Sequence, residues 1–382
     1  MKKNLSILAI NMYYGGAQRV ISMLLKHMVK DYNVHLVIFT EHINFEIPEE
    51  VELKILFPES NERNTVFNKL KNVFRAAKAY DEFIKEKQID VSLSFLALPN
   101  IINGIVRAKN KNLRTVISER CFPSIMYKAN KSSQLLSKFV IPKYYNKNDA
   151  LFSNSININE DLRDNFKVNI PMSVIYNPIN SNSTKYIDSA SIAKTAQLKL
   201  INVGNIYDAK NQKLIIKALS QLPKNSFYYT QAGTGVLEES LKALSKSCGL
   251  DNQITFLGNT TQVEEHLLQQ DCFVLSSKTE GFPNVVLEAL SCGLPVISTN
   301  CKTGPLELLN DNERIDIPKG GFAEAKYGLL IRENDAIGLA SALDFFLKHP
   351  EKRKQYSKLG YKRSKDYALP VIYKQIKTLL EE

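Results

Sequence analysis

The stretch Cys272–Thr299, "CFVLSSKTEGFPNVVLEALSCGLPVIST", reads as strand, loop, helix and strand in succession. "CFVLSS" and "PVIST" are continuous apolar runs rather than alternating ones, as strands are when helices cover both faces of their sheet. "VVLEALSCG" between them reads as a helix, so the stretch is one βαβ crossover. Gly281 and Pro283 shape the turn before that helix, and Asn284 can cap or begin it. Glu280 stays on the loop, while Glu288, seven intervening residues later, falls about one turn into the helix. The N–H groups around Phe282, Asn284 and Val285 are expected to offer an anion site at the helix start. The two carboxylates would then flank a phosphate and accept hydrogen bonds from sugar hydroxyls on either side of it.

The same alternation extends in both directions. Ahead of the stretch lie "LKLINVGNI" with "NQKLIIKALSQL", "SFYYTQAGTG" with "EESLKALSKSCG", and "ITFLG". An earlier series starts with "LSILAI" and "AQRVISMLLKHMVK", and continues through "NVHLVIFT", "DVSLSFL", "PNIINGIVRAKN" and "RTVISE". Strands alternating with helices predict two doubly wound α/β domains. We place the first at residues 1–178 and the second at 190–369, with a final helix at 370–382 returning to the first. The linker is expected in "VIYNPINSNSTKYID", rich in Asn, Ser and Pro and poor in periodicity. Open α/β sheets bind ligands at the C-terminal ends of their strands, so two such domains are expected to face a central cleft.

Size and composition agree with this division. A chain of 382 residues exceeds one ordinary core, and 44% hydrophobic with 23% charged residues is usual for a globular protein. No apolar run approaches the roughly 18 residues a spanning helix needs. The apolar run in "MKKNLSILAINMYYGG" is only about six residues, and Gly15-Gly16 ends it without a cleavage pattern, so it reads as a buried first strand in a cytoplasmic protein. Five scattered cysteines and five dispersed histidines form no CxxC or Cys/His cluster, which argues against a disulfide framework and against a metal site. The net charge is +11, with much of the excess between Arg63 and Lys147. That surface is either plainly solvated or attractive to an anionic partner.

Three further strand-to-helix loops carry candidate residues. Gly15 and Gly16 follow the first strand, where glycine lets a ligand approach the backbone and a helix start favours phosphate. Gly204, Asn205 and Lys210 follow the first strand of the second domain; a lysine there can pair with phosphate oxygens or simply be solvated. Glu119 and Arg120 end the strand "TVISE", expected to face the cleft as catalytic or acceptor contacts unless they form a salt-bridged loop.

Together these motifs resemble the family 4 glycosyltransferases, retaining enzymes of the GT-B fold. The likeness covers nearly the whole chain: "GGAQRV", "VGNIYDAKNQKLIIKAL", "QAGTG", "ITFLG", "EGFPNVVLEALSCGLPVIST", and "GPLELL" followed by "YGLLI". The resemblance implies a nucleotide-sugar donor, UDP-linked hexose or N-acetylhexosamine, held mainly by the second domain. Glu288 would take the ribose hydroxyls and Glu280 the sugar, with backbone around Phe282, Pro283, Asn284 and Val285 beside the sugar or diphosphate. Lys210 would neutralise the leaving diphosphate without a metal or other cofactor, and Gly16 would close over the phosphates.

The chain departs from the family pattern twice. Asn205 stands where relatives often have arginine, removing a charge-assisted contact worth about 1.5–3 kcal/mol. Arg120 stands where enzymes that extend lipid-linked oligosaccharides often have histidine. "NTVFNKLKNVFRAAKAYDEFIKEK" and "DVSLSFLALPN" resemble the first domain of those enzymes, implying a lipid-linked or polysaccharide acceptor for a bacterial-type surface glycan such as capsule or O-antigen. The basic surface would then meet an anionic membrane from the cytoplasmic side, at roughly 1 kcal/mol per basic residue. Phe67, Leu70, Val73 and Phe74 in that segment are expected to face the core. A nucleotide-sugar epimerase and a non-catalytic glycan-binding subunit remain alternatives, although Glu280, Glu288 and Lys210 argue against the second. Nucleic acid is not expected, because no recognition module accompanies the basic residues.

Overall fold

In strand β1 (Asn4–Ala9), Leu5 and Ile7 enter one core while Leu8 enters another on the opposite face. Successive side chains of a strand point to opposite faces, so a run apolar on both must lie between two layers. The computed structural model describes residues 2–57, 66–127, 131–180 and 185–382; the side chains of residues 66–71 and 131–133 lie outside that description. The chain forms two units, Met1–Pro178 with Leu369–Glu382, and Ile179–Ala368.

In the first unit β1 is followed by α1 (Gly16–Asp31), β2 (Asn33–Ile38), β3 (Glu52–Ile55) and α2 (Val66–Glu86). Then come β4 (Val91–Phe95), α3 (Ala97–Arg107), β5 (Arg114–Glu119), α4 (Pro123–Met126) and α5 (Lys131–Tyr145). The unit continues with β6 (Ala150–Ser153), α6 (Ile156–Phe166) and β7 (Met172–Val174). Its strands form one parallel sheet in the order β3-β2-β1-β4-β5-β6-β7.

The second unit holds β8 (Leu198–Val203), α7 (Lys213–Leu219), β9 (Phe227–Ala232), α8 (Glu238–Ser247), β10 (Ile254–Gly258) and α9 (Val263–Leu267). Next are β11 (Cys272–Leu275), α10 (Asn284–Ser291), β12 (Val296–Thr299) and α11 (Pro305–Asn310). It closes with β13 (Phe322–Glu324), β14 (Leu329–Ile331), α12 (Ala336–Lys348) and α13 (Pro350–Ser364). The sheet order is β10-β9-β8-β11-β12-β14-β13, parallel except for the β13–β14 pair.

The last helix, α14 (Leu369–Glu381), belongs to the first unit. Ile372, Ile376, Leu379 and Leu380 join Val20, Leu24, Leu25 and Met28 of α1 in one core. Asp31 pins the helix by accepting from Tyr373 Oη at 2.6 Å and Lys377 Nζ at 2.8 Å.

The segment "VIYNPINSNSTKYID" begins inside the first unit, where Ile175 and Asn177 are buried, and the division falls after Pro178, the residue at which the first domain is placed to end. Composition cannot show that an Asn- and Pro-rich segment still carries an apolar anchor. One expectation needs correction. Phe74 was expected in the core but is exposed. Val73, Ala77, Tyr80 and Ile84 of α2 share one helical stripe packed on the core; Phe74 is one position off it. Phe67 and Leu70 fall among the side chains outside the description, as do Arg63 and Lys128 of the basic stretch. Among the described residues no helix is long and apolar enough to cross a membrane.

Candidate active site

Strand β11 pairs with β8 on one side and β12 on the other, all parallel. Their C-terminal ends therefore share an edge, and the loops after them, 204–212, 276–283 and 300–304, meet there. This is the ligand edge of an open α/β sheet.

Lys210, on the first loop, reaches Glu280 on the second: its Nζ donates to Oε1 at 2.7 Å and to Oε2 at 2.9 Å. The pair is largely covered, with 21% of the lysine and 8% of the glutamate side chain exposed. Burial works against the ammonium, but the charge and hydrogen bonds of Glu280 outweigh it and hold Lys210 above the usual lysine range. Ser277 Oγ donates a third bond to Glu280 Oε1 at 2.6 Å. The two loops are further joined by Lys278, whose Nζ bridges both Asp208 oxygens at 2.7 Å while its N–H donates to Ala209 O at 2.8 Å. Ser276 Oγ donates to Lys210 O at 2.8 Å.

The third loop supports the turn after Glu280. Thr303 Oγ1 donates to Glu280 O. A Cβ on Gly304 would lie 2.3 Å from Pro283 Cδ, and its φ of +92° favours glycine, so this residue lets the two loops touch. Phe282 is buried against Tyr367, ring centroids 6.0 Å apart. Pro283, with φ −79° and ψ 82°, makes an inverse γ-turn closed by Asn284 N–H to Phe282 O at 2.9 Å. The amide of Asn284 is therefore engaged within the turn, contrary to the expectation that it points at an anion. Val285 and Glu288 are half-buried on α10, and Glu288 follows the helix start by one turn.

Close backbone approach explains the glycines of "QAGTG". A Cβ on Gly233 would stand 2.3 Å from Gly204 O, and one on Gly235 2.2 Å from Ile206 O. Gln231 Nε2 donates to Gly204 O at 3.2 Å and holds the crossing. Asn205 is exposed, and its carbonyl accepts from Gln212 Nε2 at 3.1 Å. No sequence signal singled out Ser277 or Thr303; the Ser-x-x-Glu spacing of Ser277 and Glu280, a local side-chain bonding pattern, was the available clue for the first.

In the first unit, Gly15 and Gly16 open α1 at an exposed position, with neither a side-chain cap nor an acidic residue in the first turn. Glu119 and Arg120 differ from expectation: both are buried, at 2% and 6% exposure, within their own unit. Glu119 Oε1 accepts from Arg120 N at 3.0 Å and Cys121 N at 3.3 Å, and Oε2 accepts from Tyr145 Oη at 2.7 Å. Burial raises its carboxyl although those bonds favour the charge. Arg120 lies over Phe95 and Phe152, about 5 Å from each ring, and Nε donates to Ser118 Oγ at 2.7 Å. Burial pushes its guanidinium down to about 9. Satisfying the turn after β5 turns these side chains inward, so they are not exposed at the strand end as expected. Part of the basic stretch is likewise structural: Arg107 pairs with Asp149 at 2.9 Å and Arg114 Nη2 donates to Leu379 O at 2.9 Å.

Two parallel-sheet α/β units with glycine-shaped loops and a paired lysine and glutamate at the strand ends define a GT-B type protein. The chain belongs to the family 4 glycosyltransferases: residues 14–183 match the Glycosyltransferase Family 4 domain and residues 185–363 the Glycosyl transferases group 1 domain. It is 30% identical to N-acetylgalactosamine-N,N'-diacetylbacillosaminyl-diphospho-undecaprenol 4-alpha-N-acetylgalactosaminyltransferase of Campylobacter jejuni, over 96% of each chain. A second Campylobacter jejuni enzyme, an alpha-1,4-N-acetyl-D-galactosaminyltransferase acting on GalNAc-alpha-(1->4)-GalNAc-alpha-(1->3)-diNAcBac-PP-undecaprenol, is 25% identical over 99% of this chain and 98% of its own. Among solved structures, Anabaena HepE in complex with UDP and glucose has a TM-score of 0.76 at 15% identity, covering all of both chains. Sucrose-phosphate synthase from Thermosynechococcus elongatus has a TM-score of 0.78 at 16% identity, over 99% of this chain and 98% of that one. These last two likenesses show the fold.

Proposed function

We propose that this glycosyltransferase moves a hexose or N-acetylhexosamine from a UDP-sugar to a lipid-linked or polysaccharide acceptor in surface-glycan synthesis, with retention of anomeric configuration and without a metal. The observation that carries the reading is the Lys210–Glu280 pair at the strand ends, a largely covered cation held by a carboxylate where an open α/β sheet binds its ligand. The Campylobacter relatives, named for undecaprenol-linked substrates, support the acceptor class, and neighbours solved with UDP support the nucleotide.

In transfer, the anomeric C–O bond of the donor breaks with its electron pair leaving on the diphosphate. An acceptor hydroxyl oxygen bonds to the same carbon and passes its proton to an oxygen of the departing diphosphate. Lys210 exchanges one or both Glu280 oxygens for diphosphate oxygens, meeting the charge as it develops. Glu280 is then released toward sugar hydroxyls, and Glu288 accepts from the ribose. The protein works at the cytoplasmic face of a membrane, associated peripherally.

The test is thermal unfolding with UDP and with GDP at millimolar concentration, on wild type and Glu288→Ala. A ligand at about 100 times its Kd stabilises by roughly 2.7 kcal/mol. A shift with UDP alone that Glu288→Ala loses, while keeping its ligand-free melting point, is the expected result. No shift with either nucleotide would overturn the donor assignment. Turnover with and without EDTA, and NMR of the product's anomeric proton, test metal independence and retention.

A further inference from the structure

Helix α5 has two apolar faces, and its own unit covers one of them. Ser137, Ile141 and Tyr145 are buried on the inner face. Leu135, Leu136 and Phe139 are 62%, 47% and 68% exposed, within about 100° of one another around the helix on the opposite side. A surface helix ordinarily turns polar residues outward, so an outward Leu-Leu-Phe group departs from the amphipathic rule. Helix α4, which like α5 packs on α6, also exposes apolar residues at its C-terminal end: Ile125 at 37% and Met126 at 54%.

The segment that forms this face carries charge of one sign, although the neighbouring α6 exposes Glu160 and Asp164. Between Arg120 and Asp149 the sequence contains lysines at 128, 131, 138, 143 and 147 and no Asp or Glu. Lys138, Lys143 and Lys147 are exposed, and by helical spacing Lys143 falls among the apolar residues while Lys138 borders them. Apolar side chains flanked by lysines match an anionic lipid surface, whose headgroups attract the charges and whose acyl boundary takes up the side chains.

We propose that α4 and α5 dock this protein on an anionic bilayer, with Leu135, Leu136 and Phe139 entering the headgroup layer and Lys138 and Lys143 meeting the lipid charge. The proposal rests on the reading that the acceptor is lipid-linked, and it names the surface that brings the enzyme to that acceptor. Because apolar side chains enter the layer, binding persists in part at salt concentrations that screen the lysines.

The experiment is sedimentation of the full chain with phosphatidylglycerol/phosphatidylcholine vesicles and with phosphatidylcholine alone, at low and high salt. Leu135→Ser/Phe139→Ser is expected to lower the partition coefficient about tenfold at either salt. Lys138→Glu/Lys143→Glu should lower it chiefly at low salt, and Val236→Ser, an exposed apolar position in the other unit, should leave it unchanged. Both α5 variants change exposed residues, and the lysine variant tests the face even where the serine variant fails to fold. Wild type that binds while both double variants bind equally well would overturn the surface but leave the lipid-linked reading standing. Wild type that fails to bind anionic vesicles overturns the docking and, with it, the peripheral association. A wild-type dimer that Leu135→Ser/Phe139→Ser converts to a monomer in light scattering would also overturn the proposal, because a second copy then covers the face.

Discussion

Lys210 holds Glu280 by both carboxylate oxygens, at 2.7 and 2.9 Å, across 70 positions of sequence. The pair keeps two charges balanced at the edge of the second sheet, where neither would be stable alone at its degree of burial. Lys210→Ala would leave Glu280 with Ser277 as its remaining side-chain donor, and Glu280→Ala would leave a covered ammonium. Each single variant is expected to lose about 2 kcal/mol of stability, and the double variant less than their sum. Urea unfolding of the four proteins measures the coupling; simple additivity would show that the pair is not interacting in solution.

Gly233 stands where the loop after β9 crosses the loop after β8. Its φ is +112°, and a Cβ would lie 2.3 Å from Gly204 O. The obstacle is backbone rather than a flexible side-chain end, so relief requires one of the two loops to move. Gly233→Ala is expected to cost about 1–3 kcal/mol from the φ alone. It should also weaken any UDP-induced thermal shift, because the displaced loop includes Gly204. An unchanged melting point would mean the crossing is looser than described.

What the sequence discloses follows the strength of local signals. Strands β1, β2, β4, β5, β8 and β11 carry apolar runs, and the helices between them carry recognisable stripes, so the doubly wound architecture is legible. Strands β7 and β13 have three residues each, and β3 is mostly exposed, leaving no run to detect. In the candidate site, Glu280 and Lys210 are visible as separate charged residues on two loops, but their pairing depends on β8 and β11 lying side by side. Glu119 and Arg120 mislead for the opposite reason. Two charges after a strand ordinarily face water, whereas here the backbone turn and Tyr145 supply enough partners to bury them. The γ-turn at Pro283 is equally invisible, since proline fixes φ and leaves ψ open.

The buried partners of Glu119 give a third prediction. Tyr145 Oη donates to Glu119 Oε2 at 2.7 Å and accepts from Asn100 Nδ2 at 3.3 Å. Tyr145→Phe keeps the ring but removes a partner from both groups, which is expected to cost about 1–3 kcal/mol. Because Glu119 lies inside its own unit, the loss should appear in urea unfolding while the UDP-induced thermal shift is preserved. A lost UDP shift at unchanged stability would instead place Glu119 in donor binding.

The pair of Arg107 and Asp149 gives a pH signature. Arg107 Nε lies 3.1 and 2.9 Å from the two Asp149 oxygens, Nη2 lies 2.9 Å from Oδ1, and Thr115 N donates to Oδ2 at 2.7 Å. Burial alone would raise this carboxyl, but the Arg107 and Thr115 bonds outweigh it and hold Asp149 below the usual range. A carboxylate depressed in the folded state contributes its full stability above the unfolded value, about 3.9, and loses it as pH falls through the folded value. Asp149→Asn is therefore expected to be less stable than wild type by about 1–2 kcal/mol at pH 7. The gap should hold down to about pH 5 and narrow below about pH 4, where wild type also takes up the proton. Unfolding free energies of both proteins across that series measure it. A gap that stays constant to the lowest pH would show that packing of Asp149, rather than its charge, carries the contribution.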